Sequence, residues 1–130
     1  VDGKMITQTI IDEAVKQSEK AVSQGHRYHH GSVIWKKNRI ISKGYNKKRC
    51  VPTLTKYGYE PYFYPHSETD AILKADRDDL NGSSLLVIRK CKTKLGNSKP
   101  CSFCVRMVCE CGIKKVFYSD TNGDIQEMRL

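Results

Sequence analysis

A chain of 130 residues with 38% hydrophobic content suits one domain with its own core, spanning 1–130, and no apolar run in it is long enough to cross a bilayer. Lys and Arg total 23 against 14 Asp and Glu, a formal net charge of +9 that attracts phosphate on a nucleotide or along a polynucleotide, or simply solvates the surface. Its 6 cysteines lack the spacing of a secreted disulfide framework and no signal-peptide pattern precedes them, so a cytoplasmic, reducing location is expected.

In chain order, Ile6, Ile10, Ile11, Ala14, Val15, Ala21 and Val22 follow helical spacing and predict a first helix over residues 5–24. His30-Gly31-Ser32-Val33-Ile34-Trp35 and Arg39-Ile40-Ile41-Ser42-Lys43-Gly44-Tyr45 read as two strands, with Lys36-Lys37-Asn38 turning a hairpin between them. His26, His29 and His30 are loosely spaced without partner cysteines and read as surface or substrate-side residues. Basic residues cluster at Lys36, Lys37, Arg39, Lys43, Lys47, Lys48 and Arg49, and again at Arg89, Lys90, Lys92, Lys94 and Lys99.

Tyr57, Tyr59, Tyr62, Phe63 and Tyr64 crowd the approach to His66. They form a lid or stack on a base, Tyr64 first by its nearness, or pack the long loop onto the body or an oligomer interface. A second helix is predicted from near His66 through Ala75, and a third strand over 84–89, apolar enough for the middle of a sheet. A third helix should begin at Cys101 and stop near Gly112, followed by a strand over 113–119. Only Ser119-Asp120-Thr121-Asn122-Gly123-Asp124 separates Tyr118 from Ile125. A parallel crossover needs about a dozen residues or more, so a last strand over 125–130 must run antiparallel.

The chemistry sits in His66-Ser67-Glu68 and Pro100-Cys101-Ser102-Phe103-Cys104. One imidazole and two thiolates are ligands for Zn²⁺ with a fourth tetrahedral position left for water, whose pKa the metal lowers to roughly 7. Glu68 is not needed as a ligand and suits a proton carrier between that water, a ring nitrogen and a departing amine. Cys101 and Cys104, three apart at a helix start, present both sulfurs on one face, where the helix N-terminus favours thiolates. A lone Cys-x-x-Cys also fits a redox pair or half of a structural zinc site, but H-x-E before P-C-x-x-C is the pattern of zinc-dependent nucleobase deaminases. Phe103, inside the motif, walls a base pocket or packs as an ordinary core ring.

The order of elements resembles the cytidine deaminase-like superfamily over nearly the whole chain. Gly31-Ser32-Val33-Ile34 and Ile40-Ile41-Ser42-Lys43-Gly44-Tyr45-Asn46 are similar to its G-A-V-I and I-x-G-x-N segments. The resemblance implies a three-layer α/β/α fold with a mixed five-stranded sheet whose last strand is antiparallel. It implies a zinc hydrolase that takes the amine off a cytosine-type base of a free nucleoside or nucleotide, releasing ammonia. Asn46 matches the family asparagine that contacts sugar or base, and Lys47, Lys48 or Arg49 would hold a phosphate. A homo-oligomer is implied, and an RNA or single-stranded DNA substrate is the alternative. The chain departs from the family at Ser67, where alanine is common, at Lys99, where many relatives have glutamate or serine, and in a long aromatic segment over 50–65.

Overall fold

The computed structural model describes residues 6–23, 29–46 and 66–130. Its elements are α1 (Gln8–Ser23), β1 (His30–Lys36), β2 (Arg39–Tyr45), α2 (Ser67–Lys74), α3 (Arg77–Leu80), β3 (Ser84–Lys90), β4 (Leu95–Gly96), α4 (Ser102–Glu110), β5 (Lys115–Ser119) and β6 (Ile125–Met128). None of the described helices is long and apolar enough to cross a membrane.

The strands form one mixed sheet in the order β2-β1-β3-β5-β6, with β3 and β5 parallel and their other neighbours antiparallel. The expected antiparallel last strand is present: Ser119 faces Ile125 and Val116 faces Met128. Asp120 closes this hairpin by accepting from the backbone N–H groups of Asn122 and Asp124, each at 2.9 Å. A sixth strand exceeds the five expected. The two-residue β4 folds back onto the end of β3 after a turn closed by Cys91 N–H to Lys94 O at 3.0 Å. Two residues carry no periodicity to read, and the one-turn helix α3 escaped the sequence for the same reason.

Alternating side chains divide the sheet into two faces. Val33, Trp35, Leu86, Ile88 and Phe117 pack with Ile10 and Ala14 of α1 on one side. Ile34, Leu85, Val87 and Val116 pack with Ala71 and Ile72 of α2 and with Met107 and Val108 of α4 on the other. Helix, sheet and helix therefore make the three layers. Helix α4 ends as expected at Gly112, where Gly112 N–H reaches Cys109 O at 3.2 Å and Ile113 N–H reaches Val108 O at 3.3 Å, the paired bonds of a Schellman stop.

Two glycines set how closely the outer helices lie on the sheet. A methyl group at Gly31 would collide with the Ala14 carbonyl oxygen of α1. One at Gly44 would stand 2.5 Å from both Ala71 N and Ser67 O of α2. Backbone atoms cannot swing aside. Gly44→Ala is therefore expected to lift α2 off β2 and cost roughly 1–3 kcal/mol, read as a lower denaturant midpoint at unchanged slope. An unshifted midpoint would show that α2 is not held this tightly.

Candidate active site

Two helix starts face each other at the edge of the inner layer. His66 is the N-cap of α2 and Cys101 the N-cap of α4, each in extended backbone (ψ 167° and 170°), so each helix begins one residue later than expected. Cys104 falls three residues into α4 and is fully buried. The Cα-to-helix geometry still brings the ligand atoms together. His66 Nδ1 lies 3.3 Å from Cys104 Sγ and 3.7 Å from Cys101 Sγ, and the two sulfurs are 3.5 Å apart.

These separations fit a metal ion. A tetrahedral Zn²⁺ with bonds of about 2.3 Å to sulfur and about 2.0 Å to nitrogen separates its ligand atoms by roughly 3.5–3.8 Å. The donor set of one imidazole and two thiols is a zinc set, and the three are the metal-binding group found among the described residues. No disulfide joins the described cysteines.

Electrostatics prepare the ligands. The Cys101 thiol is pulled down to about 3, first by the Cys104 thiol beside it and then by the His66 ring, with burial opposing. Burial works against a charged His66, yet the Cys101 sulfur and the Glu68 carboxylate hold its pKa above the ordinary value. Metal uptake must displace that imidazole proton.

Glu68 sits one residue past His66–Ser67 on the first turn of α2 and is only 4% exposed. Burial dominates in raising its pKa above the usual carboxylate range, while the His66 ring pulls it back. A buried carboxyl with a raised pKa is suited to take and return protons near neutral pH. Ser67, buried behind it, receives a hydrogen bond from Ser32 of β1 at 2.6 Å and points its own hydroxyl at Glu68 Oε1, 3.4 Å away. Asp70, also in the first turn, faces away: its Oδ2 accepts from Tyr45 N–H and from Lys74 Nζ, both at 3.2 Å, clamping α2 to β2.

A cavity of about 330 Å³ opens over this group, with His66, Glu68 and Cys101 on one wall. Asn46, His30, Ser67, Asn97, Ser98 and Lys99 line the remainder. Its size is at the small end of the range for small-molecule sites, about 300–1,000 Å³. Asn46 follows β2 and is held by His30, whose backbone N–H donates to Asn46 Oδ1 at 3.0 Å. Thus His66, Glu68, Cys101, Cys104 and Asn46 converge. Phe103 does not line the cavity and is 42% exposed on α4. Tyr64, Lys47 and the other aromatic residues of 50–65 lie outside the described residues.

His30 and Ser98 were not singled out as a pair by the sequence. His30 Nδ1 meets Ser98 Oγ at 2.8 Å, a contact between residues 68 apart. Burial first, then the charges of Arg89, His66 and His29, lower the His30 pKa from 6.5 to about 4. The unfolded chain therefore binds a proton here that the fold refuses. This contribution to stability is complete above about pH 7 and is lost as pH falls from 6.5 towards 4. The loss is roughly 2–3 kcal/mol after allowing for partial exposure. His30→Gln should flatten the fall in melting temperature between about pH 7 and pH 5, and an identical slope in the variant would place the acid sensitivity elsewhere.

The model of the cytidine and deoxycytidylate deaminase zinc-binding region matches residues 5–120. No curated protein sequence matches the chain. Among solved structures, the dCMP deaminase of cyanophage S-TIM5 is 22% identical, with 89% of this chain and 86% of that chain covered and a TM-score of 0.57. The guanine deaminase of Bacillus subtilis is 26% identical, covering 90% of this chain and 66% of that one at a TM-score of 0.58. A tRNA deaminase of A-to-I editing at the wobble position is 18% identical, covering 88% and 76% at a TM-score of 0.57.

Proposed function

Because the chain belongs to the cytidine and deoxycytidylate deaminase zinc-binding family, we propose that this zinc-dependent hydrolytic deaminase acts on a cytosine-type base of a free nucleoside or nucleotide. The observation that carries this reading is the convergence of His66 Nδ1, Cys101 Sγ and Cys104 Sγ within 3.3–3.7 Å beside the buried carboxyl of Glu68. His66, Cys101 and Cys104 hold the zinc, whose Lewis acidity brings the pKa of a water down to about 7 when the metal is bound.

The chain's own groups then move protons and fix the base. Glu68 accepts one proton of the attacking water and passes it to the ring nitrogen next to the reacting carbon; it then takes the second proton from the hydroxyl now on that carbon, as this becomes the carbonyl, and delivers it to the departing amine as the C–N bond breaks. One water is consumed and one ammonia leaves, so the carboxylate ends as it began. Asn46, its amide fixed through His30 N–H, orients sugar or base. Lys47 and Tyr64 are assigned to phosphate and base contact from their places in the sequence.

Two features favour a small substrate. The cavity is about 330 Å³, room for a single nucleoside, and the antiparallel β6 is similar to the tail of deaminases that act on free cytidine-type nucleosides. The formal charge of +9 favours a second reading, an RNA or single-stranded DNA substrate held along a basic surface. Ammonia release across free bases, nucleosides, nucleotides and oligonucleotides separates the two. Turnover of a cytosine nucleoside or nucleotide with little salt dependence is expected. Turnover confined to oligonucleotides and falling steeply with salt would install the second reading instead.

We further assign assembly to copies of the same chain, with exposed Leu73 of α2 and Phe103 of α4 as candidate contacts. A monomeric sedimentation profile at micromolar concentration would remove this assignment.

A further inference from the structure

We propose that His30 is a specificity-determining residue that donates a hydrogen bond from Nε2 to the O2 carbonyl of a cytosine-type base. This rests on the deaminase reading of the same cavity and names which atom of the base that cavity recognises.

The geometry begins with Ser98. It is 5% exposed, and its backbone N–H is tied to Ser119 O at 2.8 Å, so it is anchored to the end of β5 two residues before the Pro100-Cys101 step. Its hydroxyl has one hydrogen-bond partner among the described residues, His30 Nδ1 at 2.8 Å. A buried hydroxyl proton needs an acceptor, and Nδ1 is the acceptor at hand. Donation to Nδ1 leaves the ring proton on Nε2. That nitrogen has no hydrogen-bond partner among the described residues, although the ring is part-buried and lines the cavity with Glu68 and His66. The same residue's backbone N–H holds Asn46 Oδ1, so ring and amide are positioned as one unit.

The ring is also neutral at working pH, since burial and the neighbouring Arg89 keep its pKa near 4. A neutral N–H donor suits a neutral acceptor and is a poor match for a phosphate. Cytosine offers few such acceptors. Its N1 carries the sugar and its N3 receives the proton from Glu68, which leaves the O2 carbonyl. A site built to bond such a group discriminates against an analogue that lacks a good acceptor, because its own donor is then left unpaired.

The test pairs a substitution in the protein with one in the base. The zinc-loaded full chain and its His30→Leu and His30→Gln variants are assayed on a cytosine nucleotide and on its 2-thio analogue, whose sulfur is a weak acceptor. The wild type should prefer oxygen by about 10- to 100-fold in kcat/KM. His30→Leu should bring that ratio close to one, while His30→Gln, with an amide N–H at similar reach, keeps most of it. The bulk of sulfur affects all three proteins and cancels in the comparison. Independently, ¹⁵N NMR of the zinc-loaded wild type should show the proton on Nε2 of His30.

A ratio that is the same in wild type and His30→Leu, or a ring protonated at Nδ1 instead, overturns the assignment while cytosine turnover still upholds the deaminase reading. Absence of turnover on every cytosine substrate, with another base deaminated, overturns both the assignment and the choice of cytosine, and leaves a deaminase of that other base.

Discussion

Glu68→Gln is expected to lower kcat by a factor of roughly 10²–10⁴ without loss of zinc, the range for a lost general acid–base group. The amide keeps the shape of the side chain but cannot carry the two protons of water, one to the ring nitrogen and one to the departing amine. Glu68 is not among the grouped ligand atoms of His66, Cys101 and Cys104, so the metal content should stay that of the wild type.

Stability separates this loss from misfolding. Burial raises the Glu68 pKa, so in the zinc-free protein the folded state binds the proton more tightly than the unfolded one. Ionised Glu68 therefore weakens the fold as pH rises, and the uncharged glutamine should leave the zinc-free protein as stable or more stable at neutral pH. Kinetics with metal analysis and thermal melts read all three quantities. A variant that keeps wild-type kcat would remove Glu68 from the proton path.

Cys104→Ala should have an effect of similar size by a different route. Cys104 is fully buried, 3.3 Å from His66 Nδ1 and 3.5 Å from Cys101 Sγ, so its loss opens the ligand set from inside. Zinc bound per chain is expected to fall well below one, with turnover falling to background. The shift of melting temperature on adding zinc reports the same event. A metal present at 1,000 times its Kd stabilises the folded state by about 4 kcal/mol, and the variant should lose most of that gain. Cys104→Ser should resemble alanine, because a hydroxyl does not replace a thiolate on zinc. Full zinc content in either variant would mean that the metal sits elsewhere.

The parts of this site that were legible in the sequence are those in which spacing alone determines geometry. Cys101 and Cys104 are three residues apart at a helix start, and Glu68 is two from His66, so one helical turn fixes each pair. The antiparallel β6 was legible by chain length, since the loop between Tyr118 and Ile125 is too short for a crossover. The helix starts moved by one residue, because His66 and Cys101 serve as N-caps in extended backbone.

What the sequence concealed are contacts made across the fold. Ser32 meets Ser67 over a separation of 35 residues and His30 meets Ser98 over 68, and neither pair follows any local periodicity. Both depend on β1 lying between β2 and β3, which brings the first strand alongside the zinc helices. The family resemblance marked Ser67 as a departure from alanine without showing that its hydroxyl receives one from Ser32 and faces Glu68. The tight seat of α2 on Gly44 was equally hidden, since it depends on backbone atoms of two elements meeting.

The decisive measurement is conversion of a cytosine nucleotide by the protein in zinc-loaded and zinc-stripped forms, with ammonia and uracil product quantified together. The expected result is one ammonia per uracil formed by the zinc-loaded protein, no turnover after stripping, and recovery on restoring about one zinc per chain. Undiminished turnover by the stripped protein, or zinc bound in full with neither ammonia nor uracil formed, would contradict a zinc-dependent deaminase of cytosine nucleotides built on His66, Cys101, Cys104 and Glu68.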